Sequence, residues 1–534
     1  MRIPEAQSLF ENRLEIHDRK QFELKLEYQP SGEDADTEYV VDTFLFLPAS
    51  LNIEPETYPR SAFYSDIHNY VRLKTPIFSF DEILNGEHSP LYEIEQRTHL
   101  GLMGPESELV WDAKMLSCVF RGALRRFSRG MNERCAALAK GAEIEPAEKG
   151  APLPLADLER LARTSVKGVK EVLARFRTAV TQLSAKYPLE EKTFASLRLV
   201  DEYLSLTVEQ FFRKTIAEMD VMPKTGIYTD LRKELLAEIL EEERYRKEHQ
   251  LRSVVSASGD NEEYTHRIGF LKKFCMNVLF LDVRRGADRQ NLEEVLLAAA
   301  AGLAMAFATG VAFFAQERFT QASFNFFLIL VVGYMFKDRI KDGARRIFTS
   351  YAIRHLHDRS LHVIDPVTGE QLGLCREKVS YGRDAQVPPE ISALRQVDDF
   401  TTAAQGELQE TVIHYHKRIF LEADVLPRMG GGFVTGLTDI IRINVDRFLR
   451  DMDDPEFAME YIDPEDFSVG HVKASKTYQV DVAFRFAVDD GDTKKATVEL
   501  VRMVMDKNGI KRMLRVGTRA ADPLKRGLAI WPVR

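Results

Sequence analysis

The chain has 534 residues, 45% hydrophobic and 29% charged, with a net charge of −9. That length outgrows a single hydrophobic core and predicts several domains, while the acidic balance argues against nucleic acid as the main partner. The four cysteines, Cys118, Cys135, Cys275 and Cys375, form no CxxC pair, so neither a thiolate zinc site nor a disulfide framework is expected.

The N-terminal stretch "MRIPEAQSLFENRLEIHD" lacks an apolar run, and no cleaved signal peptide is expected. Residues 1–104 read as a mixed α+β domain. "FELKLEY" and "TEYVVDTFLFLP" alternate with period two around the polar "QPSGEDAD", which predicts a β-hairpin. "YPRSAFYSDIHNYVRL" predicts a helix with Phe63, Ile67, Tyr70 and Val71 on one face.

Residues 105–253 predict a helical bundle, because apolar residues recur there at three- and four-residue spacing. Pro and Gly near residue 150 mark a loop, and "SVVSASGDNEE" marks another. Residues 254–293 are expected to hold a juxtamembrane helix, "HRIGFLKKFCMNVLFLDVRR". It can pack under the bundle or lie along a membrane surface, and core packing is favoured.

Residues 294–336 predict a two-helix transmembrane hairpin. Between Glu294 and Glu317 lie 22 uncharged residues, and residues 319–336 form a second uncharged stretch of 18. As helices these span about 33 and 27 Å, against a hydrocarbon core of about 30 Å. The second is weaker, since its densely apolar part is only Phe324–Phe336. A buried helical hairpin in a soluble protein is the competing reading. Ala298, Gly302, Ala306 and Gly310 recur every fourth residue, a small-residue face for close helix packing. It can meet the second span near Gly333 or another subunit. Arg284, Arg285 and Arg289 precede the first span; Lys337, Arg339, Lys341, Arg345 and Arg346 follow the second. The positive-inside rule puts both flanks in the cytoplasm.

Residues 337–360 are expected to continue as a stalk helix, with Gly343 the place for a bend. Residues 361–534 predict an α+β domain rich in antiparallel strands. In it "TVIHYHKRIFL" and "YQVDVAFRFAV" alternate, "DKNG" makes a hairpin turn, and "LTDIIRINVDRFLRDM" is expected to be a helix.

Chemistry-bearing motifs are few. His414 and His416 share one face of a predicted strand, and with His355 and His357 they are the candidate metal ligands; Arg418 on the same face opposes a cation. Gly430, Gly431, Gly432 and Gly436 match no phosphate-binding fingerprint. No GxSxG, HExxH or kinase set occurs, which leans against an enzyme, and no cofactor is expected. The fold class expected is multi-domain α+β with a transmembrane helix pair. The expected function is an oligomeric scaffold or sensor-effector in a bacterial inner membrane, both termini cytoplasmic. Its partners would be the lipid bilayer, further copies of the chain and a cytoplasmic protein. An oligomeric pore and a membrane-anchored metal-dependent phosphoester hydrolase are the alternatives.

Overall fold

The computed structural model describes residues 14–28, 37–100, 105–139, 154–220, 226–255, 259, 261–286, 288–318, 323–366, 368–382, 387–395, 410–422, 434, 436–465, 467–489 and 494–521. The fold is multi-domain α+β, with helices and antiparallel sheets in two compact units. One unit comprises Met1–Arg72, Leu281–Leu426 and Gly436–Arg534; the other comprises Leu73–Phe280 and Pro427–Thr435.

The first unit begins with β1 (Leu14–Asp18), β2 (Gln21–Tyr28), β3 (Thr37–Pro48), α1 (Arg60–Asp66) and β4 (Ile67–Leu73). The second unit is helical: α2 (Phe80–Asn85), α3 (Pro90–Leu100), α4 (Glu106–Ala139), α5 (Pro154–Lys186), α6 (Glu191–Met219), α7 (Gly226–Glu248) and α8 (Glu262–Met276). Its helices follow from their apolar spacing. On α6, Leu197, Val200, Leu204, Val208, Phe212 and Ile216 repeat at three or four residues and are all buried. Ser79 and Glu82 form a capping box that starts α2. Gly168 of α5 lies against Phe80, where an added Cβ would come within 2.6 Å of the ring-bearing carbon. Arg246 is buried in this core and bonds Glu209, the Ser205 hydroxyl at 2.8 Å and the Ser253 carbonyl at 3.0 Å. These partners compensate a charge that would otherwise be costly to bury.

The chain then returns to the first unit through β5 (Asp282–Arg285), α9 (Asp288–Arg318), α10 (Phe324–His355), β6 (Arg359–Ile364), β7 (Gln371–Gly382), α11 (Pro389–Arg395) and β8 (Glu410–Leu421). It ends with β9 (Leu437–Asn444), β10 (Glu456–Ile462), β11 (Val469–Ser475), β12 (Tyr478–Asp489), β13 (Lys494–Asp506) and β14 (Gly509–Ala521). Among the described residues, eight strands form one sheet in the order β14-β13-β12-β3-β8-β7-β6-β5; four form another, β1-β2-β9-β4; β10 and β11 form a two-stranded sheet. Strand alternation sorts side chains onto two faces. One face of the large sheet meets the four-stranded sheet, where Tyr28 packs on Tyr39 at 4.8 Å between ring centroids. The opposite face carries Phe44, Phe46, Val412 and Leu500 under Ile391 and Leu394 of α11.

Several expectations are corrected. β2 and β3 do not form a hairpin: β2 pairs with β1 and β9, and β3 with β8 and β12. Period two identifies a strand but not its partner. The helix expected through Leu73 stops at Asp66, and Ile67 begins β4. "LTDIIRIN" is strand β9, followed by a 3-10 turn at Asp446–Leu449; its β-branched Ile440, Ile441 and Ile443 suit the ladder it makes with β2. The helix expected over 254–293 ends at Met276, with Leu271 and Cys275 in the helical core, and "DVRR" is the edge strand β5. The N- and C-terminal segments expected as separate domains interleave in one sheet. Gly436 precedes a strand; Gly430, Gly431 and Gly432 lie outside the described residues.

Gly509 opens β14 with φ +130, and a Cβ there would strike the Arg19 carbonyl. Gly509→Ala should therefore lower stability by about 1–3 kcal/mol, read as a lower urea midpoint; an unchanged midpoint would refute the turn's need for glycine.

Candidate functional site

α9 is long and apolar enough to cross a membrane over Leu292–Arg318, and only 11% of its apolar window is buried. Among the described residues it is the one helix that meets this criterion. α10 reaches from Phe324 to His355, but its charges begin at Lys337, so its apolar portion is short. The two helices pack side by side. Ala300, Ala304 and Ala315 of α9 are buried, and so is Gly333 of α10, where an added Cβ would lie 2.7 Å from Val311 Cγ1.

The feet of this pair are tied together. β5 and β6, which flank it in sequence, are hydrogen-bonded neighbours with Arg285 opposite Leu361, and the Gly286 amide donates to the Ser360 carbonyl at 2.8 Å. Entry and exit therefore lie on one side of anything the pair inserts into. A crossing by α9 obliges α10 to cross back.

The Val311–Gly333 contact sets the register of the pair. Walking away from it at about 1.5 Å per residue brings Ala304 level with Ile340 and Ala300 level with Ala344. The charged residues Lys337, Asp338, Arg339, Lys341, Asp342, Arg345 and Arg346 thus lie beside the apolar α9, and all but Lys337 are exposed. Each such charge facing lipid at mid-span costs about 2.5–3.5 kcal/mol, whereas each large apolar residue contributes about −0.3 to −0.6. Together the charges outweigh the insertion energy of α9.

Ala298, Gly302, Ala306 and Gly310 sit on exposed positions of α9, away from the buried alanines, and a Cβ at Gly302 or Gly310 would meet nothing within 4 Å. Arg284 is exposed and pairs with Asp282 at 3.1 Å; Arg285 is exposed as well. Lys337 places its ammonium 4.2 Å from the Tyr334 ring centre. Arg289 belongs to the first turn of α9, and its side chain lies outside the described residues.

A second site lies on the sheet. β8 presents His414 and His416 on one face, and the β3 ladder sets Asp42 opposite His416 and Phe44 opposite His414. Asp42 Oδ1 accepts from His414 Nε2 at 2.8 Å and from His416 Nδ1 at 2.7 Å, while Arg485 of β12 donates to Oδ2 at 3.2 Å. His414 stacks on Phe44 with centroids 4.3 Å apart. One donor atom from each of Asp42, His414 and His416 lies within 4.8 Å of the others, a spacing able to hold a divalent transition metal. Burial works to raise the Asp42 pKa, but the hydrogen bonds and charge of the two histidines hold it well below the usual carboxylate value.

Cations crowd the same face. Arg418 pairs with Glu38 at 2.6 Å. Burial, then the charges of His416, Arg376, Arg418 and Lys378, lower the His357 pKa to about 4. His357 is not among the three residues whose donor atoms lie within 4.8 Å of one another, while His362 bonds Gln371 at 2.6 Å and the His355 side chain lies outside the described residues. The residues missed from the sequence are Asp42 and Arg485. Their signal was present: each is a charge set within an apolar run of an alternating strand, "VVDTF" and "AFRFA".

Behind this face, between the two sheets, Lys417 pairs with Asp439 at 2.6 Å. Tyr28 donates to Asp439 at 3.1 Å, and Tyr415 donates to Glu377 at 2.9 Å. Burial raises the Glu377 pKa. This network cross-links the sheets.

The unfolded chain protonates His357 near pH 6.5, while the folded chain resists to about pH 4. Stability contributed by the neutral imidazole is present above that window and is lost as pH falls through it. Urea midpoints of His357→Gln should fall less between pH 6.5 and 4 than those of the parent protein; identical slopes would overturn this assignment. Comparison with protein-family models, curated proteins and solved structures finds no match to this chain.

Proposed function

We propose that the chain is an integral membrane protein, anchored by α9 and α10 as a two-span hairpin and acting as an oligomeric scaffold or sensor-effector. The observation that carries this reading is the hairpin's exposed apolar surface. Leu303, Met305, Phe313, Phe314, Phe324 and Phe327 are each more than half exposed, and a patch of that kind marks a membrane or protein contact. The paired feet at β5 and β6 and the basic flanks support a shared cytoplasmic side for both ends. With both folded parts on that side, a cytoplasmic protein partner is the natural target of the scaffold.

Ala306→Arg adds a charge costing about 2.5–3.5 kcal/mol at mid-span. It should shift most of the protein from the alkali-resistant membrane fraction to the soluble or degraded pool. A cysteine at Gln316 should react with an impermeant thiol reagent from outside the cell. Reaction from the cytoplasmic side alone would reverse the topology.

A second reading is favoured by Asp42 joining His414 and His416: a membrane-anchored metal-dependent phosphoester hydrolase. Arg485, bound to the second Asp42 oxygen, weighs against a dication there. This reading requires stoichiometric transition metal in the purified protein, lost in the His414→Ala, His416→Ala double variant. Metal-free active protein would eliminate it.

A further inference from the structure

The mismatch in depth between α9 and α10 leads one step further, resting on the membrane reading above. Around the level of Gly302, the outer side of α9 is apolar, with Leu297, Leu303, Met305 and Phe307 exposed. The outer side of α10 at that level carries exposed Asp338, Arg339, Lys341, Asp342, Arg345 and Arg346. Two placements keep these charges out of lipid. A shallow hairpin leaves them below the bilayer. It then strands Leu303, Met305 and Phe307 in water and buries Glu317 and Arg318, at the end of α9, within the hydrocarbon.

A full-depth hairpin matches the uncharged length of α9 to the bilayer and carries Glu317 and Arg318 to the far interface. The outer face of α10 must then look onto water. One hairpin has no inside, so the remaining wall has to come from further copies of the chain.

The geometry points to a homo-oligomer in which α9 faces lipid and α10 lines a water-filled interior shared between copies. The charged half of α10 forms a wide mouth on the side of the β5 and β6 feet. Nearer the turn, its exposed Phe324, Phe327, Leu328, Val331 and Met335 form an apolar collar that narrows the interior by excluding water. Each copy lines the mouth with Lys337, Arg339, Lys341, Arg345 and Arg346 against Asp338 and Asp342. The interior is therefore positive and concentrates small anions.

The test uses full-length protein in vesicles of phosphatidylethanolamine and phosphatidylglycerol, with single cysteines replacing Leu303 or Lys341, which lie at one level. Cys118, Cys135, Cys275 and Cys375 are all buried, and the parent protein supplies the blank. A charged methanethiosulfonate reagent should modify Lys341→Cys at least about tenfold faster than Leu303→Cys, since one site faces water and the other lipid. The anionic reagent should also outpace its cationic counterpart at Lys341→Cys, and not at an exposed Glu460→Cys control. Equal rates at Leu303→Cys and Lys341→Cys would mean shallow insertion, and no reaction at Lys341→Cys would mean a face sealed by protein; either overturns the proposal. So does a mass of one chain in mild detergent. Release of the parent protein from the vesicles by alkali would instead sink the membrane reading itself.

Discussion

The hydrogen-bonded ladder of the eight-stranded sheet governs both candidate sites. At its centre, β3 lies between β8 and β12, strands that follow it by several hundred residues. Backbone pairing on both edges and packing on both faces hold β3 in one register. That register brings Asp42 beside His416 and Arg485. At its edge, the same ladder joins β5 to β6 and so clamps the two feet of the helix pair. A one-residue slip at β3 would turn Asp42 toward the other sheet.

The charged groups of the first unit divide by face. Toward the four-stranded sheet, Lys417 sits between Asp439 and Glu377, with Tyr28 donating to Asp439 and Tyr415 to Glu377, while Asp439 Oδ1 and Glu377 Oε2 are buried without a hydrogen bond among the described residues. Its pKa is raised: burial opposes the charge, but Asp439, Cys375 and Glu377 more than offset that burial. On the opposite face, Asp42 is held ionised by two imidazoles and a guanidinium. Buried charges are tolerated in both places because each has partners at hydrogen-bond distance.

The helix pair shows how a contact can change the meaning of a hydropathy pattern. Taken singly, α9 has the length for a bilayer and α10 does not. Once Val311 meets Gly333, the charged half of α10 is fixed beside α9, and the pair becomes two-sided: apolar on one helix and charged on the other. The proposed oligomer would give such a surface lipid on one side and water on the other. The buried alanines lie along the α10-facing side of α9, leaving the Gly302 and Gly310 positions turned outward.

Local pattern alone determined the long helices α4 to α7, the apolar character of α9, the strands β2, β3, β8, β12 and β13, and the hairpin turn at Gly509. Each rests on spacing within a few residues, which the chain carries wherever it folds. Pattern did not determine partners. Nothing local distinguishes β3 pairing with β2 from β3 pairing with β8 and β12, and the isoleucines of β9 satisfied a helical spacing until β2 supplied a ladder. Asp42 and Arg485 were legible as charges within apolar runs, but their meeting with His414 and His416 required long-range pairing. Tertiary structure decided these points, and the register of α10 against α9, because pairing and packing depend on which surfaces remain to be covered once distant segments meet.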